Sequence, residues 1–240
     1  MEKINAIVVK ATDYKEADKL VRLCSAEKGI ITATLKGCRK ATAKLAFAAR
    51  PFLFAEFILS EKFGRFTITG CSPIESYANI VSVSDFYAGS AVLEVLDSFC
   101  SNGTEWGTHL VNALRALSFL GKKNNSSVLI SYILRSFATE GYPLDFQRCV
   151  LCGSKPDRFY FSFSDGGTVC ENCATDNAFS LDLQTANLLR LLSETEVSAA
   201  SNVSMSGTVV KKILSFLAAY FENVWGGRLR CLKEYVKLPI

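Results

Sequence analysis

The chain has 240 residues, of which 49% are apolar and 21% charged, with only 5 Pro and 15 Gly, so it can bury a substantial core and is neither disordered nor fibrous. Its mean hydropathy is +0.20, yet the most apolar stretch, 45–59, is broken by Arg50, Pro51 and Glu56, so no membrane-spanning helix is expected. Net charge is +4, too small to mark a nucleic-acid binder by itself. Its distribution is more informative, since residues 1–80 hold 13 Lys and Arg against 8 Asp and Glu. The basic excess lies in the first third.

The first 80 residues read as five short strands, 5–9, 19–25, 30–35, 52–60 and 66–75, rich in β-branched and aromatic residues. A turn at Glu27-Lys28-Gly29 and a loop or helical segment over 39–49 separate them. This pattern suits a small Greek-key barrel, for which the oligonucleotide-binding (OB) fold leads, although another five-stranded barrel would give nearly the same pattern. Phe52, Phe54 and Phe57 read as core, while Phe63 and Phe66 beside Arg65 are placed to stack on bases. After Pro73 the period becomes helical. Helices are expected from an N-cap at Ser84, with Phe86, Leu93, Leu96 and Phe99 as apolar positions; over 105–120, with Leu110, Val111, Leu114 and Leu117 on one face; over 127–140, from a cap at Ser180 to about 193, and over 208–224, with 198–207 a polar loop.

The strongest local signal is Cys149-Val150-Leu151-Cys152-Gly153, then Cys170-Glu171-Asn172-Cys173. Two residues between paired cysteines let one tight turn aim both sulfurs at one ion, and this spacing between pairs is that of a zinc ribbon. Cys149, Cys152, Cys170 and Cys173 are therefore the candidate ligands of one structural zinc ion, held by four thiolates with no open position for catalysis. Phe159 to Phe163, the turn at 165–167 and Thr168-Val169 read as a hairpin between the two knuckles. Free thiols, disulfides, a redox dithiol or an iron-sulfur cluster are the competing readings.

Catalytic patterns are otherwise lacking. His109 is the only histidine and reads as structural, no phosphate-binding glycine loop precedes a helix, and no paired carboxylates stand out. The composition points to binding rather than catalysis. Lys36, Arg39, Lys40 and Lys44, with Arg65, are the candidate phosphate contacts. A solvated loop is the plain alternative.

Taken together, the motifs Ala6-Ile7-Val8-Val9, 13–21, Lys36-Gly37-Cys38-Arg39-Lys40, Arg50-Pro51-Phe52, the two CxxC pairs and Arg228 to Lys233 resemble the bacterial DNA recombination and repair protein O (RecO) family across the whole chain. The resemblance implies an α+β architecture: an OB-fold nucleic-acid-binding domain at 1–80, then a mainly α-helical domain at 81–240 carrying a four-cysteine zinc-ribbon-like insertion at 146–178. It implies a non-enzymatic mediator in the cytoplasm, associated with the nucleoid. Such a mediator binds single- and double-stranded DNA, anneals complementary strands and, with RecR, helps load RecA onto DNA coated by single-stranded-DNA-binding protein. The acidic C-terminal tail of that last protein would dock on the helical domain, with Arg115, Lys122 and Lys123 as candidate contacts. Two features depart from the family pattern, Cys24 where an aromatic residue is usual and a less basic Glu234-Tyr235-Val236. The alternatives are a zinc-containing RNA-binding or ribosome-associated OB-fold protein, and a zinc-dependent or thiol-redox enzyme.

Overall fold

The computed structural model describes residues 1–122, 124–155 and 158–239. Five strands, β1 (Glu2–Tyr14), β2 (Asp18–Ser25), β3 (Gly29–Leu35), β4 (Phe54–Lys62) and β5 (Arg65–Glu75), close into a barrel of order β1-β2-β3-β5-β4. Every neighbouring pair is antiparallel except β3 with β5, where Ala33 faces Phe66 and Thr34 faces Thr67. This is the OB-fold barrel. β1 is long enough to serve two partners, pairing with β4 through Glu2 to Ile7 and with β2 through Ala6 to Tyr14. A bulge between Val8 and Lys10 bends it between them. Alternate residues point inward, so Ile4, Ala6, Val8, Val21, Leu23, Ile31, Ala33, Leu35, Phe57, Leu59 and Ile68 fill the barrel. The fourth strand begins two residues later than the sequence suggests, because Phe52, although buried, has φ of 69° and leaves the extended region. Gly29 opens β3 at φ of 59°, and a Cβ there would lie 2.8 Å from the Trp106 ring, so only glycine fits.

Besides a short 3-10 turn at Ala46–Ala49, seven α-helices are described: α1 (Val83–Asn102), α2 (Trp106–Phe119), α3 (Asn125–Thr139), α4 (Leu183–Glu194), α5 (Val197–Ala200), α6 (Gly207–Val224) and α7 (Arg230–Lys237). A three-stranded sheet, β7 (Gly167–Val169), β6 (Phe159–Ser162) and β8 (Phe179–Leu181), stands between α3 and α4 in the chain. Two compact units result. One comprises Met1–Ile80 with Leu93–Leu114, the other Val81–Val92 with Arg115–Ile240. Among the described residues no helix is long and apolar enough to cross a membrane.

Several local expectations shift for identifiable reasons. The cap of α1 is Ser82, not Ser84: Ser82 Oγ accepts from the Asp85 amide at 3.0 Å while Asp85 Oδ2 accepts from the Ser82 amide at 2.9 Å, a reciprocal capping box. Val111 lies outside the buried face of α2, which Leu110, Ala113, Ala116 and Leu117 form. Phe86 is likewise exposed. Ser180 is taken up by β8, opposite Tyr160, so Asp182 caps α4 instead. The stretch 198–207 begins inside the short α5, and the C-terminal segment forms α7, anchored by buried Leu232 and Tyr235, whose hydroxyl lies 2.9 Å from Ser126 Oγ.

Asp182 makes a testable cap. The Lys212 ammonium and the Thr185 amide, 2.7 Å from Oδ1, hold its carboxyl down at about 2. A carboxylate whose folded value is depressed contributes stability above its unfolded value near ~3.9 and loses it as pH falls toward 2. The side chain is half exposed, so screening keeps the effect small. Asp182→Ala is expected to cost about 1 kcal/mol at pH 7 and roughly half of that or less at pH 2, as read by denaturant unfolding at the two pH values.

Candidate metal centre and nucleic-acid groove

The four cysteines converge. Their sulfurs all lie within 4.8 Å of one another, and Cys152 Sγ is 3.7 Å from Cys170 Sγ. Four zinc-sulfur bonds of ~2.3 Å in a tetrahedron would separate neighbouring sulfurs by about 3.8 Å, so the donor set fits such an ion. Each knuckle is a backbone turn: the Gly153 amide donates to the Cys149 carbonyl at 2.8 Å with Gly153 at φ of 74°, and the Cys173 and Ala174 amides donate to the Cys170 carbonyl at 3.0 and 2.9 Å.

Burial pushes the Cys149 thiol up, but the amides of Cys170, Cys152 and Leu151 outweigh it and hold the thiol at about 6. Cys173 moves the other way, to about 12, chiefly through its contact with Cys170. Four sulfurs so close cannot all ionise without a cation to balance them. The cluster can therefore hold a metal ion, with the sulfurs as its complete donor set.

Strand β7 and the first knuckle are built on each other. Val150 donates its amide to the Thr168 carbonyl at 2.9 Å, and Thr168 Oγ1 donates to the Arg148 carbonyl at 2.9 Å. A Cβ on Gly167 would come within 2.3 Å of Val150 Cγ1 and 3.3 Å of the Asp145 carbonyl oxygen. Gly167→Ala is thus expected to displace the first knuckle and destabilise this unit by about 2 kcal/mol, measured as a fall in melting temperature together with weakened metal retention. Behind the knuckles, Phe161 packs on Phe146 at 5.4 Å and on Phe216 of α6 at 5.0 Å, while Phe163 meets Tyr220 at 5.6 Å and Phe179 meets Phe216 at 5.2 Å.

A second site lies on the barrel. A groove of about 780 Å³ runs between the β1–β2 turn, which carries Tyr14 and Lys15, and the β4–β5 turn, which carries Lys62, Phe63, Gly64 and Arg65. Its floor is the outer face of β2, β3 and β5, with Leu20, Thr32, Thr34 and Thr67, and Lys36 closes one end. Four cations line it against one carboxylate, Asp18, which is occupied by the Gly37 amide at 2.7 Å. The groove can take an anionic polymer, with hydroxyls on its floor and aromatic rings at its rims.

Of the residues expected from the sequence, Lys36 and Arg65 meet in this groove. Arg39 instead reaches back to the β1–β2 turn, pairing with Asp13 at 3.2 Å and donating to the Lys15 carbonyl at 3.4 Å. Lys40 and Lys44 are exposed beyond its lining. Lys15 and Lys62 join Lys36 and Arg65 there without belonging to the basic run; their signal in the sequence is an aromatic-lysine pair at each turn, Tyr14-Lys15 and Lys62-Phe63. His109 is buried and stacked on Phe99 at 5.1 Å, as suits a core residue. In the other unit, Arg115 pairs with Glu196 at 3.3 Å and Lys122 lies over the Phe119 ring at 5.0 Å. Lys123 falls outside the described residues.

Comparison with known proteins gives these sites a setting. The model of the recombination protein O N-terminal domain matches residues 1–77, and that of the recombination protein O C-terminal domain matches residues 85–233. The chain is 30% identical over 218 residues to the DNA repair protein RecO of Syntrophomonas wolfei, covering 88% of this chain and 86% of that protein. It is 27% identical over 234 residues to the DNA repair protein RecO of Bacillus subtilis (94% and 90%), and 26% over 227 residues to that of Caldicellulosiruptor bescii (92% of each). With a closed OB barrel matched by one model and the four-cysteine unit by the other, the chain belongs to the RecO family of DNA repair proteins.

Proposed function

We propose that this chain is a DNA-binding recombination mediator without catalytic activity, and that the basic groove of the barrel is where it holds DNA. The observation that carries this reading is the convergence of Lys15 from the β1–β2 turn, Lys36 from the end of β3, and Lys62 and Arg65 from the β4–β5 turn, on the barrel face between the two turns. Lys and Arg release counterions on meeting phosphate, and the threonine hydroxyls of the floor fix the strand in register without reading its sequence. Arg39 holds the β1–β2 turn in place, and Lys40 and Lys44 extend the positive field beyond the groove.

Annealing requires no active site. A basic surface that lowers the repulsion between complementary strands raises the chance of productive pairing, and neither ATP nor a metal-bound water enters. The four thiolates hold one structural zinc ion, which locks the two knuckles and contributes to folding rather than to chemistry. In this reading, which family membership supports, the partners are single- and double-stranded DNA, RecR and the C-terminal tail of single-stranded-DNA-binding protein, in the cytoplasm at the nucleoid, with RecA loading as the proposed outcome.

The test is annealing of complementary oligonucleotides without nucleotide triphosphate, on protein whose zinc content is measured in the same sample. We expect one zinc per chain and acceleration of DNA annealing that declines with salt. No acceleration, or an effect confined to strands bearing 2′-hydroxyls, would move the function to RNA.

A further inference from the structure

The two turns that rim the groove share an unusual construction. In the β1–β2 turn Lys15 has φ of 53°, and in the β4–β5 turn Phe63 has φ of 51°, followed by Gly64 at 70°. At Phe63 and Gly64 the two successive positive φ values are those of a two-residue hairpin loop closed by the Lys62–Arg65 pair. Each turn also sets a lysine over an aromatic ring: Lys15 Nζ lies 5.3 Å from the Tyr14 centroid and Lys62 Nζ lies 5.5 Å from the Phe63 centroid. Phe63 is 92% exposed. Phe63 stays out of the core and, among the described residues, packs on no other ring, so with Lys62 over one face its other face is available for a planar group.

We propose that Phe63, assisted by Tyr14 on the opposite rim, stacks on an unpaired base and makes the groove select single-stranded over duplex DNA. This rests on the reading of the groove as the DNA site and specifies what that site prefers. In a duplex both faces of each base are covered by neighbouring pairs, so an aromatic side chain gains nothing there unless it unstacks them, whereas an unpaired base offers its face freely. The cations act differently, because phosphate is present on both forms. Lys36, Lys62 and Arg65 therefore set affinity for any DNA, and Phe63 sets the difference between the two forms. An annealing protein benefits from that division: once the bases pair, the stacking contact is lost while the phosphate contacts remain, which favours passing on the finished duplex.

The experiment compares wild type, Phe63→Ala, Phe63→Trp and Lys62→Ala/Arg65→Ala for binding to a thymidine oligomer and to a blunt two-strand duplex of equal phosphate number. Phe63→Ala is expected to weaken single-strand binding about tenfold or more while changing duplex binding less than twofold, and Phe63→Trp to retain wild-type discrimination. The double charge variant should weaken both ligands by similar factors. Phe63 is exposed, so these variants are expected to keep the wild-type melting temperature. Equal losses on both ligands for Phe63→Ala, or no loss on either, would overturn the inference while the charge variant still reports on the groove. If the charge variant also binds like wild type, the groove is not the DNA site and both readings fall.

Discussion

A Cys149→Ser variant is expected to lose its metal and to melt roughly 8–16 °C below the unaltered chain. The argument begins with burial. Cys149 is only 1% exposed, its sulfur receives the amides that shape the knuckle, and a hydroxyl in its place is a poor ligand for a soft-metal site. Losing one of four thiolates forfeits part of a binding energy that is itself folding energy, on the order of 4 kcal/mol, which converts to that range for a chain of this size. The loss should spread beyond the loop, because the hairpin between the knuckles places Phe161 and Phe163 against Phe216 and Tyr220 of α6. Chelation of the unaltered protein should reproduce the shift, and melting unchanged by either treatment would show that the aromatic packing holds this unit without a metal.

The second large effect is electrostatic. Replacing Lys15, Lys36, Lys62 and Arg65 together by Ala is expected to lower the slope of log affinity against log salt by about 3 for single-stranded DNA, since each phosphate contact contributes ~0.7. Affinity near 0.1 M salt should fall by roughly 10²–10³. None of the four is a core residue, so circular dichroism and melting temperature should hold. Lys40→Ala/Lys44→Ala, whose side chains lie beyond the groove lining, is expected to lose less than about fivefold. A quadruple variant that keeps the full salt slope would remove the groove from the account.

How far the sequence carried these sites depends on the range of the signal. The two CxxC turns are local, so their spacing alone predicted sulfurs that converge to within 4.8 Å. Strand alternation likewise located all five barrel strands, but it gave only 5–9 of the long β1 (Glu2–Tyr14), whose ends pair with different partners on either side of the bulge, and it started the fourth two residues early, where the positive φ of Phe52 has no sequence signature beyond the preceding Pro51. The groove was only half legible. Lys36 and Arg65 are 29 positions apart and meet because β3 and β5 pair in parallel, a nonlocal contact through Ala33 and Phe66; Lys62 comes with Arg65 as its partner across the β4–β5 hairpin, and Lys15 joins them through the pairing of β2 with β3. Arg39 looked like part of a basic run, but its guanidinium is spent on Asp13, a pairing 26 positions away that charge counting along the chain does not see. Helix caps failed for a similar reason. Ser180 resembles a cap by type, yet its pairing with Tyr160 claims it for a sheet, which leaves Asp182 to cap α4.

The most direct measurement is photocrosslinking of a single-stranded oligonucleotide carrying halogenated uracil, followed by mass spectrometry of the crosslinked peptides. Aromatic side chains in contact with the strand capture the photoactivated base, and three of them, Tyr14, Phe63 and Phe66, line the groove. The account predicts crosslinks concentrated on peptides containing these residues, suppressed by raising salt and by the quadruple charge variant. Crosslinks that map instead to the helical unit, or that persist undiminished when the four cations are gone, would contradict it.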